Sequence, residues 1–179
     1  MKQVEIKLVD SALIDKLRKI KLVVTDFDGV HTNGFVFLDQ DGKELVRCSR
    51  KDGLAYEMLA KAKIDSCIIS KERNPVVLRR AEKLGISCFY KAKNGQEKLT
   101  IIKTVLEQKQ LLPEQILYMG DDLNDLAPIE FAGVSVAVAD AHPQILQKVD
   151  YVTQCKGGEH AIREMCEMLL KAQGFSIEF

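Results

Sequence analysis

Two acidic clusters in this chain each follow directly on an apolar run: Asp26-Phe27-Asp28-Gly29 and Gly120-Asp121-Asp122-Leu123-Asn124-Asp125. Two carboxylates spaced one residue apart at a strand end can divide a displacement at phosphorus between them. Asp26 is placed to attack as a carboxylate nucleophile. Asp28 is placed to protonate the leaving oxygen and later to deprotonate water. Gly29 lets the chain turn sharply and leaves its N–H for a phosphate oxygen. Alone, such a pair is equally compatible with a strand end closed by Asx-turns. The second cluster argues for chemistry, because five carboxylates at one edge repel by about 4 kcal/mol for each pair of charges at about 4 Å. A hard divalent cation with oxygen ligands would offset that cost, and Mg²⁺ is the usual one where phosphate is handled. Ser70, directly after Cys67-Ile68-Ile69, could hold a phosphate oxygen. Lys98, at the start of a helical pattern, could bridge nucleophile and phosphoryl group.

The elements that must position these residues alternate. Residues 20–25, 66–69, 86–90, 116–119, 134–138 and 151–152 read as strands. Residues 11–19, 52–62, 75–84, 96–110, 126–131, a stretch after Pro143 and 158–172 read as helices. Asp52 is expected as an N-cap and Pro75 in a first turn. Asp41-Gly42 signals a hairpin between 35–38 and 44–47. This alternation predicts an α/β fold, a Rossmann-like parallel sheet with helices on both faces. In such sheets a site lies outside the carboxyl ends of the strands, where both acidic clusters fall.

Lys plus Arg and Asp plus Glu both number 26, so no net positive field favours nucleic acid or an anionic membrane surface. The first six residues mix charge with apolar side chains and lack the apolar core of a signal peptide. No apolar run is long enough to span a bilayer. The five cysteines form no C-x-x-C pair and read as reduced, mostly buried thiols. The three histidines show no metal-ligand spacing. A cytoplasmic protein of one domain, residues 1–179, is expected.

From about residue 18 onward the chain resembles the haloacid dehalogenase superfamily. The residues that carry the likeness are Asp26-Phe27-Asp28-Gly29-Val30, Ser70, Lys98 and Gly120-Asp121-Asp122. Thr32-Asn33-Gly34, Lys51-Asp52-Gly53, the segment Ala137 to Pro143 and the segment Gly157 to Glu164 make it more specific. Within the superfamily they resemble the capless sugar-acid phosphatases typified by 3-deoxy-D-manno-octulosonate (KDO) 8-phosphate phosphatase. The resemblance implies Asp26 as nucleophile and Asp28 as general acid/base. It places Mg²⁺ on the Asp26 carboxylate, the Asp28 carbonyl and Asp121, supported by Gly29, Asp122 and Asp125. It assigns substrate contacts to Ser49, Arg50, Lys51, Asp52, Gly53, Glu72, Arg80 and Lys98. It also implies no cap domain and a homotetramer. There the β-hairpin, about 35–47, and a neighbour's tail, about 174–179, would cover the site.

The chain departs from that pattern at Glu72 and Glu57, which stand where arginines are expected, and in a segment from Lys91 to Glu97 about two residues longer than usual. Carboxylates in place of arginines disfavour the grip on a sugar acid's carboxylate. A phosphorylated 2-keto-3-deoxy sugar acid of nine carbons, a 9-phosphate, is therefore the expected substrate, with KDO 8-phosphate as the alternative. An N-acylneuraminate 9-phosphate is a further enzymatic reading. A non-enzymatic one is an oligomerisation module like that of cytidylyltransferases, whose acidic motifs are eroded, unlike those here. A receiver domain phosphorylated on aspartate has no use for Asp28.

Overall fold

A computed structural model describes residues 10–177. The signal-peptide reading of the first six residues and the end of the tail, residues 178–179, lie outside the described residues. The chain runs α1 (Ser11–Leu17), β1 (Leu22–Thr25), β2 (Phe37–Leu38), β3 (Glu44–Leu45), α2 (Arg50–Lys61), β4 (Asp65–Ile69), α3 (Val76–Leu84), β5 (Ser87–Phe89) and α4 (Gly95–Lys109). It continues with β6 (Ile116–Gly120), α5 (Leu126–Phe131), β7 (Val134–Ala137), α6 (Pro143–Leu146), β8 (Tyr151–Val152) and α7 (Ala161–Ala172).

Six strands form one sheet in the order β5-β4-β1-β6-β7-β8, every neighbouring pair parallel. β1, β6 and β7 are buried along their whole length, as continuous apolar runs in a doubly covered sheet require. α2 packs on α7, and α4 on α5. The chain lays β4 and β5 on one side of β1, then crosses through α4 to β6 on the other. The strand order therefore reverses between β1 and β6, where a crevice opens at the strands' carboxyl ends. In the register, Thr25 faces Met119, and the N–H of Asp26 donates to the Met119 carbonyl at 2.9 Å. The residues that follow, Asp26 and Asp121, thus leave the sheet side by side.

Between β1 and α2 the insertion is only the antiparallel hairpin β2–β3. Its strands are shorter than expected, and Asp41-Gly42 sits within a longer loop. There the Asp39 carboxylate accepts the N–H groups of Asp41 and Lys43, and Gly42 takes φ +76°. Three helix starts also differ from expectation. α2 begins at Arg50, capped by Ser49, whose Oγ accepts from the N–H groups of Lys51 and Asp52. Asp52 instead points inward and accepts from the N–H of Arg163, so it caps α7 from a distance. Pro75 occupies the N-cap position of α3. α7 starts at Ala161, because Gly158 and His160 both take positive φ and interrupt the helix. The five cysteines are free; Cys67 and Cys166 are buried, while Cys48, Cys88 and Cys155 are partly exposed.

Candidate active site

Asp26 is the first residue beyond β1 and is buried. Its Oδ1 accepts from the N–H of Phe27 at 2.7 Å, and its Oδ2 lies 2.7 Å from Lys98 Nζ. Phe27 turns to the other side and packs with Ile68, Val77 and Ala81, which anchors the acidic turn to the sheet. Lys98 comes from the first turn of α4, where Asn94 caps the helix by accepting from the N–H of Glu97. Its fully buried ammonium bridges Asp26 and Asp125, with Asp125 Oδ1 also at 2.7 Å.

Asp125 is a holder rather than a metal ligand. Oδ1 accepts from Lys98 and from the Tyr118 hydroxyl at 2.6 Å; Oδ2 accepts from the N–H groups of Asp121 and Asp122. Carboxylate oxygens of Asp26, Asp121 and Asp125 lie within 4.8 Å of one another, but both oxygens of Asp125 are already spent on donors. Asp122 is exposed and caps the 3₁₀ turn Leu123–Asp125. Gly29 takes φ +74°, and a Cβ there would fall on the Asp121 carboxylate, so glycine is required for the two acidic turns to meet. Its N–H is not wholly free as expected: it donates to the Thr32 hydroxyl at 3.3 Å, because that buried hydroxyl folds the loop by also accepting from Gly34.

The electrostatics follow from crowding. Burial, then Asp26 and Asp125, push Asp121 up to about 8, with Lys98 offsetting part of this. Burial and Asp125 raise Asp26 against the pull of Lys98. Burial and then Glu72 raise Asp28 to about 6. Burial opposes the charge on Lys98, but Asp26 and Asp125 outweigh it and hold the ammonium above its usual range. Lys98 does not fully offset this crowding of carboxylates, and an oxygen-ligated divalent cation is what this donor set fits.

An open cavity of about 500 Å³ is lined by Asp26, Asp28, Ser70, Glu72, Arg73 and Asp121, among others. Ser70 is buried, and its Oγ accepts from the N–H of Glu72 at 3.0 Å, which curls the loop after β4 around the cavity. Glu72 Oε1 in turn accepts the N–H groups of Arg73 and Asn74. Lys71, Arg73 and Asn124 also line the cavity and were missed in the sequence, since nothing in their spacing marks them.

The remaining predicted substrate contacts fall elsewhere. Ser49, Arg50 and Lys51 line a separate cavity with Arg47, Glu159 and His160. Asp52 and Gly53 are buried, and Arg80 donates from Nη2 to the Ser49 carbonyl at 2.7 Å beneath Gly53. These three belong to the packing of α2 against α3 and α7. Glu57 lines a cavity around the starts of β4 and β5, at the opposite end of the sheet, so it places no charge in the acidic crevice. His31 is enclosed between Phe27 and Tyr56, with Nε2 2.9 Å from both the Thr25 and Tyr56 hydroxyls. Burial and then Arg80 lower it to about 3, which leaves a neutral structural ring.

A parallel sheet with this strand order, an acidic crevice at its switch point and only a hairpin above it define a capless hydrolase. Residues 59–164 match the model of the haloacid dehalogenase-like hydrolases. The chain is 37% identical over 93% of its length to 3-deoxy-D-manno-octulosonate 8-phosphate phosphatase of Escherichia coli K12, spanning 87% of that protein. The crystal structure of the Yersinia pestis enzyme of the same name superposes with a TM-score of 0.88 at 38% identity, covering 92% of this chain and 88% of that one. The Moraxella catarrhalis enzyme, solved with magnesium, phosphate and KDO, gives a TM-score of 0.86 at 32% identity, covering 90% and 92%. The chain belongs to the haloacid dehalogenase-like hydrolases and is a phosphoric monoester hydrolase of that type.

Proposed function

We propose that the protein hydrolyses a phosphorylated 2-keto-3-deoxy sugar acid through an aspartyl-phosphate on Asp26, with the eight-carbon KDO 8-phosphate as substrate. The observation that carries the reading is the Asp26 carboxylate, held by Lys98 at the base of a cavity that Asp28, Ser70 and Asp121 also line. In the first step an Asp26 oxygen bonds to phosphorus, the phosphorus–sugar oxygen bond breaks, and Asp28 gives its proton to the leaving oxygen. In the second, Asp28 takes a proton from water, the water oxygen attacks phosphorus, and the bond to Asp26 breaks to release phosphate. An Asp28 raised to about 6 suits both duties near neutral pH. Asp26, the Asp28 carbonyl and Asp121 would hold Mg²⁺, which supplies charge neutralisation of the phosphoryl oxygens. Ser70 and Lys98 would orient the phosphoryl group.

The eight-carbon assignment is supported by the relatives' activity. Lys71 and Arg73 support the sugar-acid class, since they bring two cations to the cavity wall beside Glu72 that can meet a sugar acid's carboxylate. The nine-carbon 9-phosphate remains a second reading because Glu72 does line the cavity, whereas Glu57 lends it nothing. Purified protein with Mg²⁺ should be assayed against both sugar phosphates. A kcat/KM for the nine-carbon compound tenfold or more above that for KDO 8-phosphate would reverse the order. No turnover of either would sink the sugar-acid reading.

A homotetramer is part of this proposal. Phe35, Phe37, Leu38 and Leu45 of the hairpin are each at least 65% exposed, an apolar surface that an isolated subunit leaves in water. The described part of the tail lies away from the crevice in cis: Phe175 and Ile177 lie in a groove with Met58 and Leu170.

A further inference from the structure

The loop joining β7 to α6, residues 138–142, lines no part of the acidic cavity, yet it is tied to both acidic turns. The N–H of His142 donates to the Asp121 carbonyl at 2.7 Å. Two residues earlier, the carboxylate of Asp140 accepts from the N–H of Gly157 at 3.0 Å. The N–H of Ala139 donates to the Cys155 carbonyl at 3.2 Å, so the segment from Cys155 to Gly157 is pinned at both ends. That segment presses on the nucleophile turn. A Cβ on Gly157 would fall on the Gly29 carbonyl oxygen, and Gly158, at φ +68°, donates its N–H to the Val30 carbonyl at 2.9 Å. The turn so loaded carries the Asp28 carbonyl and the Gly29 backbone that meets Asp121.

We propose that Asp140 is a positioning residue whose carboxylate, acting through Gly157, holds the Asp28–Val30 turn against the Asp121 turn. A single loop thereby sets the separation of the two acidic turns, one through His142 and the other through Asp140. Asp140 itself is exposed and touches no reacting group, so its effect is transmitted entirely by backbone contact. The catalytic side of this inference rests on the phosphatase reading, whereas the positional side does not.

The experiment compares Asp140→Ala and Asp140→Asn with wild type, first by hydrogen exchange of metal-free protein. Alanine removes the acceptor; asparagine retains an oxygen that can accept from Gly157. In Asp140→Ala, exchange in a peptide covering residues 27–34 should rise about tenfold while peptides from α4 and β6 stay unchanged. In Asp140→Asn all three should stay within about twofold of wild type. With p-nitrophenyl phosphate and Mg²⁺, Asp140→Ala should lose about tenfold in kcat with KM within about threefold, and asparagine should restore it. Unchanged exchange at 27–34 in the alanine variant overturns the proposal. So does an equal loss in both variants, which would trace the effect to charge instead of the accepted hydrogen bond. If wild type hydrolyses no phosphate monoester, the phosphatase reading fails, and the exchange data still decide the role of Asp140.

Discussion

Lys98 Nζ stands 2.7 Å from Asp26 Oδ2, with both side chains shut away from solvent, so the carboxylate that faces the crevice is tied to a buried cation. The same ammonium holds Asp125, and removing it leaves two buried carboxylates without their partner. Lys98→Met should cost about 3–5 kcal/mol in denaturant unfolding at pH 8, because breaking a buried pair exposes the desolvation that the pair had offset. A loss under about 1 kcal/mol would show that the pair holds nothing.

Asp26→Asn should separate activity from stability. Hydrolysis of p-nitrophenyl phosphate should fall below about one-thousandth of wild type, since covalent catalysis has no substitute nucleophile here. Melting at pH 8 without Mg²⁺ should be no lower than wild type, because asparagine carries none of the charge that burial and Asp125 oppose. Residual activity above that threshold would remove Asp26 from the nucleophile's role.

Metal and pH are linked through the same crowding. Carboxyls raised in the folded protein bind protons more tightly than in the unfolded chain. Their contribution to stability is full below about pH 4 and is lost as pH rises through the folded values, about 6 for Asp28 and about 8 for Asp121. Metal-free protein should therefore melt lower at pH 8 than at pH 5.5, and Asp121→Asn should flatten that slope. Mg²⁺ should raise the melting temperature more at pH 8, where its ligands are deprotonated. An equal Mg²⁺ increment at both pH values would contradict the assignment of these carboxylates as ligands.

Specificity should turn on the loop after β4. Glu72→Arg should raise kcat/KM for KDO 8-phosphate by about tenfold, since a carboxylate facing a carboxylate becomes a charge-assisted contact. Arg73→Ala should raise KM for that substrate several-fold more than for p-nitrophenyl phosphate, which carries no carboxylate. If neither variant distinguishes the two substrates, this loop does not read the sugar acid.

Assembly can be read by light scattering. If the proposed homotetramer covers the exposed apolar hairpin, Phe37→Asp with Leu45→Asp should lower the mass, since each side chain forfeits about 1.5–3 kcal/mol of burial. A wild-type monomer at working concentration would leave the hairpin without its expected partner.

The strand-end acids were legible because backbone periodicity and residue type suffice for them. A fully apolar run must be a central strand, and a charged cluster at its end must lie on the crevice side. Asp26, Asp28 and Asp121 were found in this way, Ser70 as a hydroxyl after a strand and Lys98 at the start of a helical pattern, and the structure places them around one crevice. What the sequence could not determine depends on which way a side chain turns once helices pack. Asp52 looked like the cap of its own helix and caps α7 instead, because α2 and α7 lie side by side. Glu57 fell at the far end of the sheet because its helix runs antiparallel to the strands it covers. Arg73 entered the crevice only because Ser70 and Glu72 curl their own loop by accepting its amides. Local sequence therefore determined the strand order's chemistry-bearing ends. Only the tertiary structure decided which glycines press on the nucleophile turn, since Gly157 and Gly158 meet Gly29 and Val30 from more than a hundred residues further along the chain.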